Sequence, residues 1–383
     1  MTGVARDAPA VSTAAGKESA KTAARSVRRA PGRERLEAMA TTPTGRARPT
    51  VLLAVALGLS ACGSAAATGA TARATSHGPS RPRPVTARVL GSGLAAPLSR
   101  EVVLAGPGRD LVVLGGLDAQ DSSASGVFLL DTASGRLREV GALSSPVHDA
   151  GGVVLAGRDV LFGGGATVSV AAVEAFPAPR ATAHGLAGSV LGALPGARSD
   201  DVAAEIGTTA YVVGGYDGLD GDATVLATSD GRHFRSVATL PVPVRYAALA
   251  AYGGRLYVFG GEAIGGPASG TAVRAVQVVD PRTGSARVVA HLPEPLAGAA
   301  AAVLGGAIYL AGGDTVTTPA GGGSGTAATI WSFTPQTKRF RVVGHLVKPV
   351  SHAGVAVLAG RVWLVGGESQ GVTVSTIQSF GPR

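Results

Sequence analysis

Ala248–Gly261 reads ALAAYGGRLYVFGG. Two short apolar runs flank the Gly253–Gly254 turn, and the second run ends on the pair Gly260–Gly261. Runs this short, rich in Val and aromatics and punctuated by glycine, predict a hairpin of two strands rather than a helix. The unit recurs along the chain. DLVVLGG, DVLFGG, AYVVGG, LYVFGG, IYLAGG and VWLVGG have their first paired glycine at Gly115, Gly163, Gly214, Gly260, Gly312 and Gly366, at intervals of 48, 51, 46, 52 and 54 residues.

More than the glycines repeats. A second apolar stretch and a tight turn precede each run, as in VVLAGPGRD and VAVLAGR. A variable loop and a third run follow, among them VFLLDT, VLATSDG, VQVVDP and IWSFTP. A turn such as DPRTG leads on to a fourth run, seen in RLREV, HFRSV, SARVV and RFRVV. Four short strands per unit predict an antiparallel blade, and six units predict an all-β, six-bladed β-propeller over residues 84–383. In blade 2 no clear fourth strand is expected within FPAPRATAHGLAGSVLGAL.

With its Gly-Gly pairs, the aromatic three residues before them (Tyr211, Tyr257, Tyr309, Trp363) and the turn at Asp280–Pro281, the chain resembles the kelch-repeat β-propeller family. It departs from that pattern at Val112 and Val160, which replace the aromatic, and at Leu137, Phe234, Ala286 and Phe340, which stand where the family has a fourth-strand Trp. The last unit stops soon after its third strand. ARVLGSGLAAPLSREVVLAG, from Ala87, parallels FRVVGHLVKPVSHAGVAVLAG, from Phe340. The segment around Pro84–Leu90 is therefore expected to close the ring as the missing fourth strand, removing an open sheet edge.

Ahead of the repeats, VLLAVALGLSA spans Val51–Ala61 behind Arg46 and Arg48. Eleven helical residues rise about 16 Å, too short for a bilayer but suited to the apolar region of a signal peptide. Leu59-Ser60-Ala61-Cys62 resembles a bacterial lipobox, which implies lipidation at Cys62. Residues 1–61 then read as leader and signal peptide, with Met39 a more ordinary start than Met1. Residues 62–83, rich in Ala, Ser, Thr, Gly, Pro and Arg, read as a lipid-anchored flexible tether. The expected location is the outer face of a bacterial cell membrane, with secretion as the alternative.

Residues 1–50 carry +6 of the formal charge of +9. The remainder has no basic stripe interleaved with aromatics, which argues against nucleic acid as a partner. The single Cys excludes an intrachain disulfide and a Cys-based metal cluster. It also excludes the Cys–Tyr cross-link of the copper-radical oxidases that share a kelch propeller, because Cys62 lies outside the repeats. No HExxH, GxSxG or P-loop is present, and no cofactor or catalytic residue is expected.

Two polar sets fall on the face shared by the inter-blade loops and the loops between second and third strands. Arg100, His148, Arg198, Arg245 and His352 precede the first strands and form the expected binding face; Arg offers a fork for carboxylates or anionic sugars. Asp118, Asp217, Glu262, Asp314 and Glu368 follow the glycine pairs, where turn capping is the simpler reading than a cation site. The expected function is a non-catalytic surface module recognising a protein or a cell-envelope glycan. The alternative resembles the kelch-type sialic acid mutarotases, with Arg100 or Arg245 holding a substrate carboxylate and Glu262 or Glu368 moving protons.

Overall fold

A computed structural model describes residues 84–265, 269–317 and 323–382. Cys62, the signal-peptide segment and the tether lie outside the described residues. The described chain is all β: a ring of six antiparallel blades, with no helix among the described residues.

The first strands are Val102–Ala105, Gly151–Leu155, Val202–Ile206, Ala248–Tyr252, Ala300–Leu304 and Gly354–Leu358. Neighbouring first strands touch in order around the ring, blade 6 meeting blade 1, so they enclose a central channel. The second strands are Asp110–Leu114, Arg158–Phe162, Thr209–Val213, Arg255–Phe259, Ala307–Ala311 and Arg361–Val365. They are buried on both faces because each lies mid-blade between two neighbours. Alternate side chains point to opposite faces of a strand. Leu111 and Val113 accordingly join the core shared with blade 6, while Val112 and Leu114 join the core shared with blade 2. Six such cores fill the six inter-blade interfaces.

The glycine pairs are explained by the next blade. The second glycine of each pair donates its N–H across the interface, from Gly116, Gly164, Gly215, Gly261, Gly313 and Gly367 to the carbonyls of Val147, Arg198, Val244, Leu296, Val350 and Leu98, at 2.7–3.0 Å. A Cβ on the first glycine would collide with that same carbonyl, and every first glycine has a φ between 57° and 70°. Both the close approach and the left-handed backbone demand glycine.

Ring closure follows the expected route. Val85–Val89 pairs antiparallel with Ile377–Pro382 as the fourth strand of blade 6. Blade 2 departs from expectation: it has a fourth strand, Ser189–Ala193, paired to Ala172–Pro177. Just before it, Leu186–Ala187 runs parallel to Gly141–Ala142 and adds a fifth strand to blade 1. Arg138 holds this detour by donating to the carbonyls of Ala181 and Ala183, both at 2.5 Å. The Gly- and Ala-rich sequence hides the strand because its side chains supply little apolar alternation.

A candidate binding face at the channel mouth

At one end of the channel the chain enters each first strand through a left-handed residue. Arg100, Asp149, Asp200, Tyr246, Gly298 and His352 have φ values of 59°, 53°, 58°, 54°, 61° and 49°. Each donates its N–H to the carbonyl of its counterpart in the preceding blade, and Arg100 donates to His352, at distances of 2.8–3.0 Å. The result is a closed collar of six hydrogen bonds. A non-glycine residue pays a steric penalty at positive φ, and the cyclic bonding holds five of them there.

The collar side chains form one polar network. Arg100 donates through Nε to Glu368 at 2.7 Å, and through Nη1 to Asp149 at 3.0 Å and to the Tyr246 hydroxyl at 2.9 Å. Arg245 donates to Glu262 at 2.8 Å and lies 3.6 Å from Asp200. The two guanidinium groups also sit near the Tyr246 ring, at 5.2 and 5.1 Å from its centroid. His352 packs edge-on against Tyr246 and lies 3.7 Å from Asp314, which accepts a hydrogen bond from Thr326. His148 lies 3.8 Å from Asp149 and shares a 2.8 Å hydrogen bond with Ser123.

Burial and pairing set the protonation of these groups. Burial lowers the pKa of both His148 and His352, and the Arg100 charge lowers each further. Burial raises the pKa of Glu262 despite Arg245, whereas His352 and Arg100 outweigh burial and keep Glu368 below the usual carboxylate range. Burial also raises the Tyr246 hydroxyl, with Asp149 and Asp200 adding to the effect. The face is a pre-formed network with its arginines already engaged. Neither Arg100 nor Arg245 offers the open fork that holding a substrate carboxylate requires.

Four of the five residues expected on this face are there: Arg100, His148, Arg245 and His352. Arg198 is not. It stands two residues before the collar, at the position held by Leu98, Val147, Val244, Leu296 and Val350, and is 2% exposed. Its guanidinium is turned into blade 3, donating to the carbonyls of Gly214 and Thr224 and to Asp222. The acidic set divides. Asp118 and Asp217 cap turns, accepting N–H groups of residues 120 and 122 and of residues 219 and 220 respectively. Glu262, Asp314 and Glu368 directly follow their glycine pairs and reach the network; Asp118 and Asp217 are one residue later. Among the described residues no group of three or more His, Cys, Asp or Glu is arranged to hold a metal ion.

Asp149, Asp200 and Tyr246 were not singled out by sequence, although they share the collar with Arg100 and His352. Glu101 and Asp201, one residue after the collar, were also missed. They line the upper channel, a cavity of about 220 Å³. Each tucks beneath the preceding blade where that blade begins with glycine: Glu101 against Gly354 and Gly366, Asp201 against Gly151 and Gly163. The other four blades have Ala150, Ala247, Ala299 and Ala353 at this position, facing blades that begin with Val102, Val202, Ala248 and Ala300. The Asp201 carboxyl group thus fills the space that a Cβ at Gly151 would take, whereas at Gly354 the Val103 side chain takes that space and Glu101 accepts the Gly354 N–H.

No family model matches the chain. It is similar to three curated proteins. It is 26% identical over 193 residues to Kelch-like protein terF of Aspergillus terreus, covering 48% of this chain and 42% of that protein. It is 28% identical over 174 residues to Kelch-like protein 35 of Mus musculus, covering 45% and 28%. It is 27% identical over 199 residues to Kelch-like protein 25 of Xenopus tropicalis, covering 49% and 31%. The match therefore spans less than half the length of each of these relatives.

Proposed function

From a chain that belongs to the kelch-repeat β-propeller family, we propose an interaction module that docks a protein partner on the collar face. The supporting observation is the hydrogen-bonded collar itself, a rigid polar platform whose side chains are held before any partner arrives. Pre-organisation of this kind lowers the ordering cost of binding. Loop tips on the same face carry exposed apolar side chains: Val168 in blade 2, Leu219 in blade 3 and Val372 in blade 6, at 70%, 86% and 64% exposure. Apolar anchors beside a polar surface favour a protein over a free glycan as partner, since hot spots are usually side chains that enter pockets.

The reading includes export and a lipid anchor at Cys62, supported by the apolar run and the lipobox-like tetrapeptide. Two acyl chains would hold the propeller at a membrane surface, each buried CH₂ contributing about 0.8 kcal/mol. Replacing Cys62 by Ser should abolish fatty-acid labelling and release the protein from the membrane fraction. Equal labelling of both forms would remove the anchor from the reading.

The docking face is tested by affinity capture from native membranes with the full chain and with Leu219→Asp/Val372→Asp. Both positions are solvent-exposed, so the melting temperature should stay within about a degree while the captured partner is lost. A partner captured equally by the variant would place docking elsewhere.

A further inference from the structure

Blades 2, 4 and 6 carry Glu174, Gln277 and Gln378 at one equivalent position of the third strand, opposite Leu161, Val258 and Leu364. Blades 1, 3 and 5 carry Phe128, Leu226 and Trp331 there. The two glutamines do the same work. Gln277 accepts the Val242 N–H at 2.9 Å and donates to the Val242 carbonyl at 3.0 Å. Gln378 accepts the Lys348 N–H at 3.2 Å and donates to the Lys348 carbonyl at 2.9 Å. Each clamps both peptide groups of the linker residue that precedes a proline, Pro243 or Pro349.

The matching linker residue ahead of blade 2 is Ser145, before Pro146. Glu174 does not clamp it. Its carboxylate accepts the N–H of Ser144 instead, one residue earlier, and an ionised carboxylate has nothing to donate to a carbonyl. Glu174 is only 7% exposed. Glu174 and Ser145 both line a cavity of about 670 Å³ between blades 1 and 2. That volume is within the range of small-molecule sites.

The rest of the lining has a consistent chemistry. Ser122 and Thr167 bring hydroxyls, and Val147 and Leu161 form an apolar wall. The charged residues among the lining are Asp121 and Glu174, both acidic; no Lys, Arg or aromatic residue contributes. Such a wall is rich in acceptors, and it lacks a stacking surface for a flat ring. A buried carboxylate in it is best satisfied by a cationic donor.

We propose that this cavity binds a small hydroxylated ammonium compound, with Glu174 taking the ammonium group and the serine and threonine hydroxyls taking the ligand hydroxyls. An amino sugar is a molecule of that class, carrying several hydroxyls beside one ammonium group. The site opens among the loops of the collar face at blades 1 and 2, and binding there does not use the Leu219 and Val372 anchors.

The test is calorimetric titration of the full chain with glucosamine, glucose and N-acetylglucosamine. Glucosamine should bind at least about tenfold more tightly than the two neutral sugars, as expected for a charge-assisted hydrogen bond to a buried carboxylate. Glu174→Gln installs the residue that blades 4 and 6 already use. It should fold with an unchanged or higher melting temperature and lose at least about tenfold in glucosamine affinity. Equal affinity for glucosamine and glucose in the unmodified chain overturns the proposal without recourse to any variant. So does a folded Glu174→Gln that binds glucosamine as well as the unmodified chain. Leu219→Asp/Val372→Asp should bind glucosamine normally, so loss of partner capture and loss of glucosamine binding are read independently.

Discussion

Glu101 sits where blade 6 meets blade 1, with one oxygen accepting the Gly354 N–H at 3.4 Å and the other without a hydrogen-bond partner. Burial, reinforced slightly by the nearby Glu368, raises its pKa from 4.5 to about 8. The Gly354 amide opposes the shift without cancelling it. An acid with a raised folded-state pKa contributes stability that is fully present below about 4.5 and is lost as the pH climbs to about 8. Between the unfolded value and pH 7 the interval is about 2.5 units, which at 1.36 kcal/mol per unit amounts to about 3 kcal/mol. Glu101→Gln preserves the shape and the acceptor for Gly354 while removing the ionisation. The variant should be more stable than the unmodified chain by about 3 kcal/mol at pH 7, with the gain growing up to about pH 8 and disappearing toward pH 4.5. Urea unfolding of both proteins across that range measures the difference directly, because every other titrating group is common to both. Stability curves that run parallel from pH 5 to 8 would show that Glu101 does not titrate as its burial demands.

Three further outcomes are expected. Gly312→Ala should lower stability by at least about 2 kcal/mol in thermal unfolding, since its Cβ would meet the Val350 carbonyl at a φ of 69°. Arg100→Ala should cost about 3 kcal/mol or more by the same measurement, because it strips Asp149 and Glu368 of their buried partner; an unchanged melting temperature would show that the network is not structural. Deleting residues 84–91 should destabilise the whole propeller, as it leaves Ile377–Pro382 with an unpaired edge, and a deletion that melts like the intact chain would refute closure by this strand.

The fold was legible because the residues that specify it are the ones that repeat. A glycine pair is required wherever the backbone must turn left-handed against a neighbouring carbonyl, and that requirement arises once per blade. Closure was legible for the same reason, since the segment before blade 1 still carries the pattern that precedes blade 6. The collar was harder to read. Its six positions share a backbone conformation but no side-chain type, and only Gly298 advertises a positive φ. Arg198 misled because its charge suggested the surface, whereas its repeat position is the apolar one under the glycine pair. Counting one residue from each glycine pair, instead of accepting the nearest acid, would have separated Glu262, Asp314 and Glu368 from Asp118 and Asp217. The hidden fourth strand of blade 2 had no such signal, since Ser189–Ala193 is mostly exposed and its pattern offers no buried face.

A buried carboxylic acid meets a first-strand glycine at two of the six junctions, and their positions matter. One joins blade 6 to blade 1 through Glu101; the other joins blade 2 to blade 3 through Asp201. Blades 1 and 2 are thus bounded on both sides by a buried acid, and the cavity lined by Glu174 lies between them. The remaining junctions pack alanine on valine or alanine and contain no titrating peg at this position. Burial raises the Asp201 pKa well above its ordinary value, with Asp200 and Asp149 adding to it while Arg198 and the Gly151 amide oppose it. Its oxygens approach that amide without a hydrogen bond of normal geometry. Asp201→Asn should therefore stabilise the propeller in the same direction as Glu101→Gln. The two acids share no hydrogen-bond partner and occupy different junctions, so their effects should add within about 0.5 kcal/mol in the double variant at pH 7. A double variant no more stable than the better single one would mean that the two junctions loosen as one unit, and that blades 1 and 2 respond to pH together.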